Sequence, residues 1–310
     1  MITAATRDEP VSRPAPLSRH AFTVDLEDWY HGIPIASDAK ASAEKRLHVG
    51  TERLLELLQR NNARATFFVL TPTVREHPAL LQKIAACGHD IGSHGTSHDL
   101  LYEMSPERFR EETRVSIRTI EDTLSVKVDS YRAAYFSITK RSLWALDVLA
   151  SEGIRYDSSI FPIKNWRYGI PDYEKGPTVV ETASGRILEF PLSTRSLFGK
   201  TLPVTGGAYF RLYPYAVTRW NIEASVREGR PVVFYLHPWE LDPGHPFVRF
   251  RAKAMATHYA NLRATAPRLT RLLSDFTFTT LAEVLRDTFP DVESTFARPV
   301  IAMQHELETR

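Results

Sequence analysis

The stretch Ala21-Phe22-Thr23-Val24-Asp25-Leu26-Glu27-Asp28-Trp29 decides the fold. Its first four residues are a short β-prone run, and three acids fall within the next four positions. A strand that delivers carboxylates at its C-terminal end is how α/β enzymes build a site at the rim of a parallel sheet.

The pattern continues outward from this strand. Residues 43–60 carry a helical periodicity through Leu47, Leu54, Leu55, Leu57 and Leu58, and residues 65–69 then read as a buried strand. Residues 78–86 predict a short helix with Pro78 in its first turn and Gly88 as its C-terminal cap. Residues 89–94 predict a strand running into a loop. Ser105-Pro106-Glu107-Arg108 opens a long helix reaching Leu124. Residues 128–131 predict a strand ending at Arg132, residues 139–152 a helix closed by Gly153, and residues 154–157 the next strand. Strand and helix in alternation argue for parallel βα units with right-handed crossovers. Residues 161–210 are rich in Pro and Gly and predict long loops that shape a substrate cleft. Regular structure resumes with a helix over 214–229, a buried strand over 232–236 ending in His237-Pro238-Trp239-Glu240, and helices over 252–273 and 280–287. We divide the chain into a flexible leader (1–19), one domain (20–288) and a tail (289–310).

Composition narrows the function. The 310 residues are 43% hydrophobic and 25% charged, enough apolar mass for a large core. With 39 Lys and Arg against 37 Asp and Glu, the net charge is +2 and no basic stripe is present, which argues against nucleic acid as a partner. The single cysteine, Cys87, excludes an intrachain disulfide and a Cys-rich zinc site, and it reads as a small core residue. Any metal therefore sits on His and carboxylate ligands. No run of apolar residues is long enough for a membrane span. Acids and prolines replace the apolar run of a signal peptide at the N-terminus, so the expected location is the cytoplasm. Oligomeric state is not readable.

The candidate chemistry gathers at inferred strand ends. His94 and His98, four residues apart, face one point if they lie on a helical turn, as a divalent ion requires. Asp25, Glu27 and Asp28 would repel one another without a counter-charge, which a metal or an arginine supplies. Arg132 is placed to pair with Asp25 and keep it ionised. His237 is placed to act as a general acid, oriented by Asp157 or by Glu240. Each has a plain structural alternative: a solvated loop for the acids, a surface role for the arginine, and a hydrogen-bonded core position for each histidine.

Taken as an ordered set, five motifs resemble the polysaccharide deacetylase family, the NodB-homology group or carbohydrate esterase family 4. They are Phe22-Thr23-Val24-Asp25-Leu26-Glu27-Asp28-Trp29, Ser93-His94-Gly95-Thr96-Ser97-His98, Tyr131-Arg132-Ala133-Ala134-Tyr135-Phe136, Tyr156-Asp157-Ser158-Ser159 and Leu236-His237-Pro238-Trp239-Glu240. The C-terminal stretch, from Gly206-Gly207-Ala208-Tyr209-Phe210-Arg211 to the final helices, is similar to the extra region of the branch found beside bacterial exopolysaccharide and exosortase loci. The resemblance implies a distorted (β/α) barrel, seven-stranded, with a C-terminal helical extension. It implies a divalent metal, usually zinc, and hydrolysis of an N-acetyl group on an amino sugar of an exopolysaccharide or its precursor. Asp25 matches the family's base, Arg132 the arginine beside it, and His237 the catalytic histidine. His94 and His98 match the metal-binding pair. The third ligand is Glu27 or Asp28, with Glu27 preferred. Ala134 stands where the branch usually has proline. Two other readings are a deacylase of a small, lipid-linked or nucleotide-linked amide, and a catalytically inactive glycan-binding barrel.

Overall fold

The structure is a computed structural model that describes residues 19–33, 39–40, 42–165, 167–197, 199–291 and 296. The leader expected over 1–19 and the tail over 289–310 lie almost entirely outside the described residues.

Strand β1 (His20–Leu26) is the centre of the molecule. Its even positions, Phe22, Val24 and Leu26, belong to one apolar cluster with Leu54 and Leu58, while Ala21 belongs to a second cluster. This two-residue period repeats in β2 (Thr66–Val69), where Phe67 and Val69 join the first cluster and Phe68 the second. It repeats again in β10 (Val233–Leu236), where Phe234 and Leu236 join the first and Val233 and Tyr235 the second. The first cluster packs the sheet against its outer helices; the second fills its concave face. Thr23 and Asp25 are in phase with Ala21, so β1 presents a carboxylate to the concave side.

The nine-stranded sheet runs β10-β1-β2-β3-β4-β5-β7-β6, with β11 (Phe278–Thr279) also paired to β1. Here β3 is Asp90–Ser93, β4 Ser130–Tyr131, β5 Tyr156–Asp157, β6 Thr178–Thr182 and β7 Gly185–Glu189. The pairs from β10 through β7 are parallel, and only β6–β7 is antiparallel. The path does not close, so the expected seven-stranded barrel is corrected to a curled, open half-barrel with C-terminal helices. Strands β4 and β5 are two residues each, and backbone bonds from Arg132 N to the Ser93 carbonyl and from Ser158 N to the Tyr131 carbonyl carry the pairing past their ends.

The helices include α1 (Leu47–Arg60), α2 (Thr71–Glu76), α3 (Pro78–Ala86), α4 (Pro106–Leu124) and α5 (Trp144–Ser151). The Ser105 hydroxyl accepts from Arg108 N at 3.2 Å and caps α4 as expected. Residues 161–210 are more regular than expected. They contain the β6–β7 hairpin and a second hairpin of β8 (Thr194–Leu197) and β9 (Lys200–Pro203), then α6 (Gly207–Leu212). Buried Ile187 and Leu188 pull β7 against the sheet, and Gly185, at φ 147, turns the hairpin. After α7 (Tyr215–Arg227), the helix expected over 252–273 is two, α8 (Ala252–Tyr259) and α9 (Leu262–Asp275), broken where Asn261 takes a left-handed φ of 55. The last helix is α10 (Leu281–Thr288), whose Leu281 and Leu285 seal the concave cluster from below. Cys87 is exposed rather than core: it is the C-cap of α3, beyond the buried Leu81 and Ile84. Among the described residues, no helix is long and apolar enough to cross a membrane.

One glycine ties this frame to the cleft. Gly50 is buried in the first half of α1, and a Cβ there would overlap the Pro238 carbonyl of the 3-10 turn Pro238–Leu241. Gly to Ala in a helix ordinarily gains about 1 kcal/mol. Here overlap with backbone outweighs that gain, and Gly50→Ala should destabilise by about 1–3 kcal/mol in denaturant titration.

Candidate metal centre and its buried arginines

The loops leaving the C-terminal ends of the strands converge on one cleft of about 400 Å³ lined by Asp25, Glu27, His98, Tyr135, His237 and Trp239, among others. Glu27 enters directly after β1, where its N–H turns back to the Asp25 carbonyl at 2.8 Å. One carboxylate oxygen of Glu27 lies 3.0 Å from His94 Nε2 and 2.6 Å from His98 Nε2. The three ligand atoms lie within 4.8 Å of one another, and among the described residues this is the one group of three metal-ligating side chains. The helical turn expected from the spacing of the two histidines is not what joins them. Gly95 and His98 both take left-handed backbone, φ 85 and 58, and the loop doubles back to aim both rings at Glu27.

The donor set suits a divalent ion. One oxygen and two imidazole nitrogens leave coordination positions open for water or substrate. The His94 Nδ1–H donates to the Arg132 carbonyl at 2.7 Å, which fixes the tautomer and turns Nε2 toward the site. Burial pushes the Glu27 carboxyl up, but the charge of His98 and the hydrogen bonds of both histidines hold it well below the usual carboxylate range. It is therefore ionised and ready to ligate.

Asp28 stands apart from this group, and the alternative that made it the third ligand is corrected. One oxygen accepts from Trp29 N at 2.8 Å; the other accepts from Arg46 N at 2.7 Å and Leu47 N at 3.0 Å. Asp28 thus caps α1 from a distance, satisfying N–H groups that no side chain of the helix's own N-cap reaches.

Asp25 is held by Arg132. The fully buried guanidinium donates to Asp25 Oδ1 at 2.9 Å, to Thr23 Oγ1 at 2.8 Å, and to the Ser158 carbonyl and hydroxyl at 2.9 and 2.8 Å. Its face lies 4.5 Å from the Phe68 ring centroid. Arg132 makes these four hydrogen bonds without the proline absent at Ala134.

His237 faces Asp25 across the cleft, Nε2 to Oδ2 at 3.9 Å. Its Nδ1 bonds Glu240 Oε1 at 2.9 Å, and the same oxygen accepts from His237 N at 3.0 Å. Glu240 is thus the residue that orients it. Asp157, the other orienter considered, is turned away: it accepts from Ser159 Oγ at 2.6 Å and faces Glu189 in the β5–β7 register. Burial, with the neighbouring Asp157 charge next, raises the Glu189 carboxyl well above the usual range, and burial raises Asp157 too. The pair is an interior scaffold behind the Ser158-Ser159 loop that anchors Arg132.

Sequence reasoning missed Arg211. It is buried, donates from Nε to Glu240 Oε2 at 2.6 Å, and donates from Nη1 to the His258 and Ala260 carbonyls at 2.9 and 2.8 Å. Burial pushes the Glu240 carboxyl up, but the charge of Arg211 and the His237 bond hold it down at about 2.

Known proteins share both the sequence and the fold in part. Residues 43–156 match the sequence profile of the family described as polysaccharide deacetylase, and residues 158–286 match a domain of unknown function, DUF3473. Chitin deacetylase 1 of Cryptococcus neoformans is 34% identical over 91 residues, 29% of this chain and 19% of that protein. The peptidoglycan-N-acetylglucosamine deacetylase PgdA of Listeria monocytogenes is 29% identical over 142 residues, 43% of this chain and 30% of that protein. The chain spans less than half the length of the curated relatives it matches. A crystal structure from Mycobacterium smegmatis, described as a "putative polysaccharide deacetylase", shares the fold with a TM-score of 0.63 at 21% identity, covering 94% of this chain and 95% of that one. The sequence matches to deacetylases cover less than half of the chain, the structural match shows a shared fold, and none of them singles out a branch.

Two carboxylates on adjacent residues should behave oppositely in solution. Glu27→Gln, His94→Ala and His98→Ala should each weaken binding of a divalent ion by more than about 100-fold in isothermal titration, a larger loss than removal of an outer-sphere partner gives. Asp28→Ala should keep the ion and lose about 0.5–2 kcal/mol of stability, the cost of a lost helix cap.

Proposed function

Taking the chain as a member of the polysaccharide deacetylase family, we propose that it is a divalent-metal-dependent hydrolase, with zinc as the ion, that removes N-acetyl groups from amino-sugar residues of a bacterial exopolysaccharide or its precursor. The observation that carries this reading is the placing of Asp25 and His237 on opposite sides of one cleft, next to Glu27 and His98. A nucleophile-activating base and a leaving-group acid must flank the bond that breaks, and both must lie beside the ion.

Glu27, His94 and His98 would hold the ion, which when bound supplies Lewis acidity and lowers the pKa of water. Asp25 takes the proton of the attacking water as its oxygen bonds the acetyl carbonyl carbon. Arg132 holds Asp25 in place with one hydrogen bond, and its three others, to Thr23 and Ser158, fix the guanidinium. His237 gives its Nε2 proton to the amide nitrogen as the C–N bond breaks, so acetate and a free amine leave. Glu240 holds the imidazole by Nδ1 and stabilises its charged form. Asp157 takes no part in the proton transfers and holds the Ser158-Ser159 loop that anchors Arg132.

The test is acetate release from N-acetylglucosamine oligomers by the metal-loaded protein, with N-acetylated sugar nucleotides alongside. Asp25→Asn should keep the ion and lose about 10²–10⁴ in kcat; full activity in that variant would remove Asp25 from the reaction. The pH dependence has a defined sign. Burial opposes charging of His237, but the hydrogen bond and charge of Glu240, with the charges of Glu27 and Asp25, outweigh it and push the imidazole up to about 9. A group with a raised value keeps its proton below it, so kcat should fall as pH rises through about 9. A cation nearby draws that limb lower. Glu240→Gln should move the limb further toward acid, and an unmoved limb would exclude His237 as the acid.

A further inference from the structure

The cleft does not end at the ion site. The Tyr135 ring packs tilted against His98, ring centroids 4.5 Å apart, and the Arg167 guanidinium lies 3.7 Å over the same tyrosine ring. One aromatic ring thus separates a metal-site histidine from a cation. Arg167 and Tyr168 line both this cleft and a neighbouring hollow of about 280 Å³, whose wall also carries Tyr102, Lys140 and Arg141. Tyr102 joins the two arginines: its hydroxyl donates to the Arg167 carbonyl at 2.9 Å and its ring lies 5.0 Å under Arg141.

The charges here are unbalanced. Among the described residues, neither Arg141 nor Arg167 has a carboxylate within ion-pair distance, and Lys140 has only exposed Asp172 at 3.8 Å. Each guanidinium lies over an aromatic ring, and Arg167 also hydrogen-bonds the Tyr135 side chain, which leaves further N–H groups of the planar fork to meet a carboxylate or phosphate. The wall between this hollow and the ion is also strained, since His98, Tyr135 and Phe136 all have φ between 54 and 58. Non-glycine residues held in this region cost energy and cluster at ligand-binding walls.

We propose that the hollow formed by Arg141, Arg167, Tyr102 and Lys140 is a subsite for an anionic oxygen group, carboxylate or phosphate, carried by the substrate next to its N-acetyl sugar. The proposal rests on the deacetylase reading for the position of that sugar. The substrate class is therefore acidic: a glycan with alternating uronate, or a sugar esterified to phosphate. A neutral homopolymer would leave both arginines unpaired.

Binding separates this proposal from the catalytic one. The metal-loaded chain is titrated with neutral diacetylchitobiose, with N-acetylglucosamine 1-phosphate, and with a disaccharide of glucuronate and N-acetylglucosamine. At least one charged ligand should bind about tenfold or more tightly than the neutral one, the worth of one charge-assisted fork, and the preference should shrink as salt is raised. Which charged ligand is preferred tells phosphate from uronate. Arg141→Gln and Arg167→Gln should each reduce the preference, and together bring it within about twofold. Arg167→Lys keeps charge but not the stacked fork and should retain part of it. Exposed Arg141 can be changed with little risk to folding, and thermal melting checks each variant. Equal binding of charged and neutral ligands would overturn the subsite. So would a preference that survives the double variant and disappears in His94→Ala, because the ion would then be the anion's partner. Acetate release is scored separately: preference without release upholds the subsite and removes the deacetylase reading, and release without preference does the reverse.

Discussion

Taking a guanidinium out of water is costly unless other groups meet its N–H donors, and Arg132 has no exposed surface at all. What meets it is drawn from three separate strands: Thr23 and Asp25 of β1, the Ser158 just past the end of β5, and the face of Phe68 in β2. A buried pair of this kind contributes little net stability, but breaking it costs about 3–5 kcal/mol. It therefore acts as a registry device. The sheet curls so that strands four places apart in its order reach one cation, and the cleft lies in the curve.

From Arg132 a chain of charges of alternating sign crosses the site: Arg132, Asp25, His237, Glu240, Arg211. Each end is a buried arginine anchored to backbone carbonyls, and the titrating groups lie between them. The two halves come from different stretches of chain. Arg132 lies within the segment matching the deacetylase profile; Arg211 and Glu240 lie within the segment matching the domain of unknown function. That second segment is thus no appendage to the sheet. It supplies β10, His237, and the carboxylate and arginine that hold His237.

Much of this was legible in the residues where the governing force is local. Period-two alternation places Asp25 on a face, a strong cap marks α4, and Asp25-Leu26-Glu27, His94, His98, Arg132 and His237 are chemically conspicuous at strand ends. What escaped depends on contacts between distant segments. Asp28 is as plausible a ligand as Glu27 until α1 and Trp29 take both its oxygens. Asp157 and Glu240 compete on equal terms until β7 brings Glu189 against the first. Arg211 and Arg167 are ordinary arginines in sequence, and their meaning is set by what surrounds them once folded. Residues 161–210 read as loop because proline and glycine outweigh short β-prone pairs such as Val179-Val180 and Ile187-Leu188, which become hairpin only against an existing edge.

The position of β1 has a consequence for how the molecule is made. It leaves the ribosome before the other strands of the sheet, yet it pairs with β10 and β11, whose residues lie more than two hundred positions later. Until those are synthesised, β1 has only β2 beside it, and Asp25 has Arg132 but no His237. Contacts this distant in sequence fold slowly, because chain entropy is lost before the contact rewards it. The Asp25 carboxylate is thus present early on an unfinished edge, and the late arrival of β10 both covers that edge and brings His237 opposite it.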